Sequence, residues 1–144
     1  MSDEWSYDAE RSSRSVGRPR VVVVGLGPGG DEHVTVETQR AIERIPHRYL
    51  RTSRHPSAHL AGEATTFDDR YEQADRFADV YGSIVDDLVA AATEHGEILY
   101  AVPGSPLVLE RTVRLLLDDE RVVTAVLPAM SFLDVVWALS LIHI

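Results

Sequence analysis

Hydrophobic and polar positions cut the chain into short alternating units. Val21–Val24 is an unbroken β-branched run ended by Gly25. Such a run predicts a strand buried on both faces, as in a parallel sheet. Thr35 predicts a helix N-cap, and Val36, Ala41, Ile42 and Ile45 recur on one side of a helix reaching about Arg44, where Pro46 stops it. Tyr49–Thr52 reads as a short second strand. Ser53–Asp69 is polar and irregular, broken by Pro56 and Gly62. From about Glu72 to Glu94, Phe77, Val80, Tyr81, Ile84, Val85, Leu88 and Ala92 fall at helical spacing, and His95-Gly96 closes the helix. Ile98–Val102 is a third buried strand, followed by the loop Pro103-Gly104-Ser105-Pro106. Leu107–Leu117 reads as a helix with Val108, Val113, Leu116 and Leu117 apolar, and Arg121–Leu127 as a fourth strand ending at Pro128.

Strands alternating with helices predict an α/β fold, an open, mainly parallel sheet with helices on both faces. The unit covers residues 20–138. Residues 1–19 are rich in Ser, Arg, Asp and Glu and are expected to be a flexible lead-in. Their polarity does not fit a secretory signal. No stretch approaches the roughly 18 apolar residues of a membrane helix. Ligands in open sheets of this class bind at the carboxyl ends of strands. Both glycine-proline loops sit at such ends.

Composition narrows the picture further. With 144 residues, 44% of them hydrophobic, the chain can bury a core of one compact domain. A formal net charge of −9 argues against a nucleic-acid backbone as main partner. The absence of cysteine excludes disulfides, Cys-based zinc sites and thiol nucleophiles and fits a cytoplasmic location.

The loop Gly25-Leu26-Gly27-Pro28-Gly29-Gly30 carries the chemistry. Glycine lets backbone turn sharply and lie close to a ligand, and Pro28 stiffens the segment. Gly25, Gly27 and Gly30 also satisfy G-x-G-x-x-G, which keeps an NADP-type Rossmann site open. Against it, Asp31-Glu32-His33 separates the glycines from the helix, and no acid follows the second strand. Arg51 and Arg54 there would suit a 2′-phosphate. The loop Pro103–Pro106 repeats the logic on another strand, so the two loops predict a cleft. His55 and His59 have i, i+4 spacing, but Pro56 argues for a loop and no metal site is expected. His33, His47 and His95 read as isolated surface residues. Asp86 and Asp87 diverge on a helix and make no Mg²⁺ cluster. Ser105 lacks the setting of a hydrolase nucleophile. Phe132 and Trp137 read as core or interface residues.

The segment Val21–Gly30 with Val34-Thr35 resembles the opening of the tetrapyrrole methylases, class III S-adenosylmethionine-dependent methyltransferases. Tyr49-Leu50-Arg51-Thr52 with His55-Pro56 is similar to the methylase-like domain that precedes a MazG-type nucleoside triphosphate pyrophosphohydrolase. So are Thr66-Phe67-Asp68, Val102–Leu107 with Glu110-Arg111-Thr112, Pro128, and Ser131–Asp134. The resemblance implies a cleft for S-adenosyl-L-methionine between two α/β halves, lined here by Gly25, Gly27, Pro28, Gly29, Pro103, Gly104, Ser105 and Pro106. It implies in-line methyl transfer to a small-molecule acceptor, with no catalytic residue assigned. A non-catalytic domain that binds a nucleotide-related ligand or regulates the hydrolase stays open, as does a homodimer. Where the family often has Gly-Asp-Pro, this chain has Gly104-Ser105-Pro106, so a carboxylate is lost. Pro128 is followed by Ala129 rather than glycine. The resemblance also implies a second half beyond residue 138. Residues 139–144, Leu-Ser-Leu-Ile-His-Ile, match the translation of a sequencing-library transposon end and are expected to be non-native.

Overall fold

The computed structural model describes residues 17–142. Residues 1–16 of the expected lead-in lie outside the described residues, while Pro19 already offers its carbonyl to the Val123 N–H at 2.8 Å. The core is a five-stranded sheet in the order β3-β2-β4-β1-β5. Its strands are β1 (Arg20–Gly25), β2 (Arg48–Leu50), β3 (Thr65–Thr66), β4 (Glu97–Val102) and β5 (Val123–Val126), and every pairing is parallel.

The central position of β1 explains its unbroken apolar run. Val21 and Val23, with Ile98, Tyr100 and Val102 of β4, face a layer made by helices α3 (Phe77–His95) and α4 (Arg111–Asp118). Ile84, Leu88, Val113 and Leu116 fill that layer. Val22 and Val24, with Leu99 and Ala101, face the opposite layer. There α1 (Val36–Arg44) contributes Ala41 and Ile42, joined by Ile45 and Leu50. Each large side chain buried this way contributes about 1.5–3 kcal/mol. Helices therefore cover both faces, as the alternation predicted. The Thr35 side chain caps α1 by accepting from the Thr38 N–H at 3.0 Å.

Some boundaries differ, for physical reasons. Thr65–Thr66 is an edge strand pairing with Tyr49 and Leu50, inside the stretch expected to be irregular. Both its side chains are exposed, so no hydrophobic signal marks it. The long helix starts at Phe77, preceded by the separate short helix α2 (Asp68–Glu72) and an extended Arg76. Phe77 and Val36, both expected on apolar faces, are exposed at helix starts. The Leu107 helix begins only at Arg111. Before it, Ser105 Oγ accepts from the Leu107 N–H at 3.2 Å, the Val108 N–H returns to the Ser105 carbonyl at 3.2 Å, and Leu109 takes φ +58°. That left-handed residue breaks helical continuation.

His47 and His95 are exposed as expected, but the histidines are not isolated. His47 and His95 stack with ring centroids 3.6 Å apart, and His33 Nδ1 is buried without a hydrogen-bond partner among the described residues. Asp86 and Asp87 do diverge, to Arg121 and Arg70 respectively. The last helix, α5, spans Phe132–Ile142 and leaves Phe132, Trp137, Leu139 and Leu141 exposed.

Candidate functional site

β1 and β4 are hydrogen-bonded neighbours with Gly25 level with Val102, so their loops leave the sheet side by side. The Leu26 N–H reaches the Val102 carbonyl at 2.8 Å. One residue on, the chains turn to face each other. The Gly27 N–H donates to the Gly104 carbonyl at 3.1 Å and the Gly104 N–H returns to the Gly27 carbonyl at 2.9 Å, an isolated antiparallel bridge. The turn needs φ +72° at Gly27 and +63° at Gly104, values glycine adopts at little steric cost.

Gly25 serves close approach instead. A Cβ there would stand 2.3 Å from the Gly104 carbonyl oxygen and 2.8 Å from Pro106 Cδ.

A segment following β2 straps the first loop from outside. Its contacts come from alternate residues. His55 Nε2 lies 2.8 Å from the Gly27 carbonyl, Ser57 Oγ donates to the Gly29 carbonyl at 3.3 Å, and His59 Nε2 meets Asp31 Oδ2 at 2.9 Å. The Ser57 N–H donates to His55 Nδ1 at 3.0 Å. His55 Nδ1 is thus the acceptor, so the proton sits on Nε2 and points at Gly27. The two histidines set aside as metal ligands are loop anchors. Among the described residues, no three His, Asp or Glu side chains gather into a metal-binding group.

Above the two loops lies a cavity of about 310 Å³. Gly27, Pro28, Pro103, Gly104 and Ser105 line it. Three other residues expected at the site stand behind the lining: Gly25 and Pro106 in the contact beneath it, and Gly29 against the His33 ring. Ser105 is buried with its hydroxyl engaged in its own turn.

The facing wall holds Arg51, His55 and Glu110. Arg51 NH1 donates to Glu110 Oε1 at 2.5 Å, and Glu110 is only 6% exposed. Burial pushes the Glu110 carboxyl above its usual range, against the opposing pull of the Arg51 charge and hydrogen bond. Nearby, burial also pushes the Tyr100 hydroxyl up. The Tyr100 hydroxyl and Thr112 Oγ1 are buried without hydrogen-bond partners among the described residues. Val108, Leu109 and Phe132 form an apolar rim.

Sequence reasoning missed the Arg51–Glu110 pair and the strap. The signals were present. Arg51 directly follows a strand and Glu110 directly precedes a helix, while His55-Pro56-Ser57 forms a turn that leads into the 3₁₀ helix Ala58–Ala61 carrying His59. What pairs them is tertiary.

The backbone floor leaves room for a flat group such as a nucleoside. The floor is free of side chains where Gly27 and Gly104 meet, and the cavity is at the small end of the roughly 300–1,000 Å³ of ligand sites. No helix among the described residues is long and apolar enough to cross a membrane.

Comparison with known proteins gives a consistent result. The family model of Tetrapyrrole (Corrin/Porphyrin) Methylases matches residues 20–144. The uncharacterized protein YabN of Bacillus subtilis (strain 168) is 38% identical over 122 residues, 80% of this chain and 25% of YabN. Uroporphyrin-III-C-methyltransferase from Thermus thermophilus superposes with a TM-score of 0.61 at 27% identity, over 79% of this chain and 49% of that one. A structure of the Thermus enzyme complexed with S-adenyl homocysteine superposes with a TM-score of 0.59 at 25% identity. Cobalt precorrin-4 methyltransferase, at 16% identity and a TM-score of 0.62, shares the fold. The chain spans about a quarter of YabN and about half of those methyltransferases.

Proposed function

The chain belongs to the tetrapyrrole (corrin/porphyrin) methylase family, and from that premise we propose that its two-loop cleft is the donor side of an S-adenosylmethionine-dependent methyltransferase-like domain. One observation carries the reading. Two glycine-proline loops are locked together by the Gly27–Gly104 bridge under a cavity at the carboxyl ends of adjacent parallel strands. That is where open α/β sheets take their ligands. S-Adenosylmethionine would supply a methyl group on a sulfonium sulfur, for in-line displacement by a nucleophilic atom of a small-molecule acceptor.

The chain's own contribution is positioning. Gly27 and Gly104 keep the floor low, Pro28 and Pro103 stiffen it, and the His55 strap holds its height. Gly25, Gly29, Ser105 and Pro106 support the floor. No residue need act as base toward an acceptor that is already nucleophilic.

The NADP reading fits less well. Asp31–His33 forms a separate 3₁₀ turn and α1 starts only at Val36, capped by Thr35, so its N-terminus does not open at the glycines.

The family neighbours are about twice the matched length. We propose that a second α/β half completes the cleft in the native protein. The length of YabN also leaves room for a further module of MazG type, and the exposed Phe132 and Trp137 fit packing against that half or a second copy. A purely regulatory, nucleotide-sensing domain is favoured by one detail, the carboxylate missing at Ser105.

Calorimetry on the full-length native protein decides. Heat from S-adenosylhomocysteine and none from NADPH is expected. Binding of NADPH alone, or of neither, overturns the assignment.

A further inference from the structure

We propose that Arg51 and Glu110 together recognise the zwitterionic amino-acid end of the methyl donor, an inference that rests on the S-adenosylmethionine reading above. The cavity wall carries one cation and one carboxylate, and they touch, Arg51 NH1 to Glu110 Oε1 at 2.5 Å. The wall's histidine, His55, is held with Nε2–H toward Gly27 and Nδ1 accepting from Ser57, which is the neutral imidazole.

Charge logic then selects the ligand. A purely anionic group would meet Arg51 but be opposed by Glu110. A purely cationic group would meet Glu110 but be opposed by Arg51. A ligand bearing an ammonium and a carboxylate on one carbon satisfies both at once. Arg51 has five N–H donors, of which Glu110 takes one, and the Glu110 carboxylate has lone pairs beyond the one facing Arg51.

Two further observations support recognition over folding. A largely buried ion pair adds little to folding once its desolvation is counted. Both residues also sit at the ends of rigid elements, as recognition groups must. The Arg51 N–H is bonded to the Ala101 carbonyl at 3.0 Å just past β2, and the Glu110 carbonyl accepts from the Arg114 N–H at 3.3 Å at the start of α4. Glu110 moreover returns a carboxylate to the cavity that Ser105 lines without one.

The test uses two nucleosides. 5′-Methylthioadenosine has the adenosine and the thioether sulfur of S-adenosylhomocysteine but no amino-acid end. In calorimetry of the native protein, S-adenosylhomocysteine should bind at least about tenfold tighter, since charge-assisted hydrogen bonds are the strong ones. Arg51→Ala should reduce that preference to near one while methylthioadenosine affinity holds, which reports an intact cleft. Arg51→Lys and Glu110→Gln should retain part of it.

A wild-type preference near one, or a preference untouched by Arg51→Ala, overturns the inference while leaving the donor site standing. Failure of both nucleosides to bind overturns the donor site and the inference with it. If Arg51→Ala loses both nucleosides equally, the two conservative variants decide, and an undiminished preference in both refutes the proposal.

Discussion

Gly25→Ala is the sharpest test of how the site is built. The added methyl would lie 2.3 Å from the Gly104 carbonyl oxygen, 2.6 Å from Ala129 Cβ and 2.8 Å from Pro106 Cδ. None of these is the end of a flexible side chain, so relief means moving the second loop by roughly 1 Å toward ordinary contact distance. A shift of that size breaks the Gly27–Gly104 bridge, whose two hydrogen bonds are 2.9 and 3.1 Å. Overpacking costs about 1–3 kcal/mol and the two lost hydrogen bonds about 1 kcal/mol each, giving about 3–5 kcal/mol in total. Urea unfolding reads this directly. With m near 1–3 kcal/mol/M the midpoint should fall by about 1–5 M.

Two other alanines fix the interpretation. At Gly104 a Cβ meets nothing within 4 Å but φ is +63°, so Gly104→Ala should cost only about 1–2 kcal/mol. At Gly82, inside α3 and in open space, alanine should raise stability by up to about 1 kcal/mol. If Gly25→Ala proves milder than Gly104→Ala, the close-packed loop junction described above is wrong.

Further outcomes follow from other contacts. His55→Ala removes the Gly27 anchor and the acceptor for the Ser57 N–H, so it should cost about 1–2 kcal/mol and speed hydrogen exchange at Gly27–Asp31, with His55→Gln restoring part of both. Burial holds the Glu110 carboxyl above the roughly 4.3 of an unfolded glutamate, so the folded chain binds the extra proton between those two values. Stability should therefore fall as pH rises through that window, and Glu110→Gln should flatten the fall in urea midpoints measured across it. Tyr100→Phe removes a buried hydroxyl that has no hydrogen-bond partner within normal geometry among the described residues and should leave stability equal or up to about 1 kcal/mol higher by thermal unfolding. Residues 1–144 alone should show no methyl transfer in a radiolabel assay, and turnover would refute the need for a second half.

Much of the fold was legible because its signals are local. The Val21–Val24 run is buried on both faces, and the Thr35 cap and the Gly96 stop are single-residue cues that the structure honours. What stayed hidden lacks a local signature. Thr65–Thr66 is a strand only because Tyr49 and Leu50 offer it an edge. Leu107–Glu110 has helical composition, yet the Ser105 hydroxyl and the Glu110 anchor to Arg51 pull it into a loop. In that segment a tertiary ion pair overrides propensity.

The site divides along the same line. Its floor is backbone, and backbone demands are written in glycine and proline, so Gly27, Pro28, Pro103 and Gly104 were readable one at a time. Its facing wall is made of side chains that meet across 59 positions, Arg51 with Glu110, and no period or motif encodes that distance. Parallel topology supplies it. Placing β4 between β1 and β2 brings the end of β2 beside the loop after β4, with the Arg51 N–H on the Ala101 carbonyl. The strand order that builds the floor therefore also delivers the charged pair to it. That coupling is why the choice of ligand can be argued from the wall, while the presence of a cleft was already carried by the glycines.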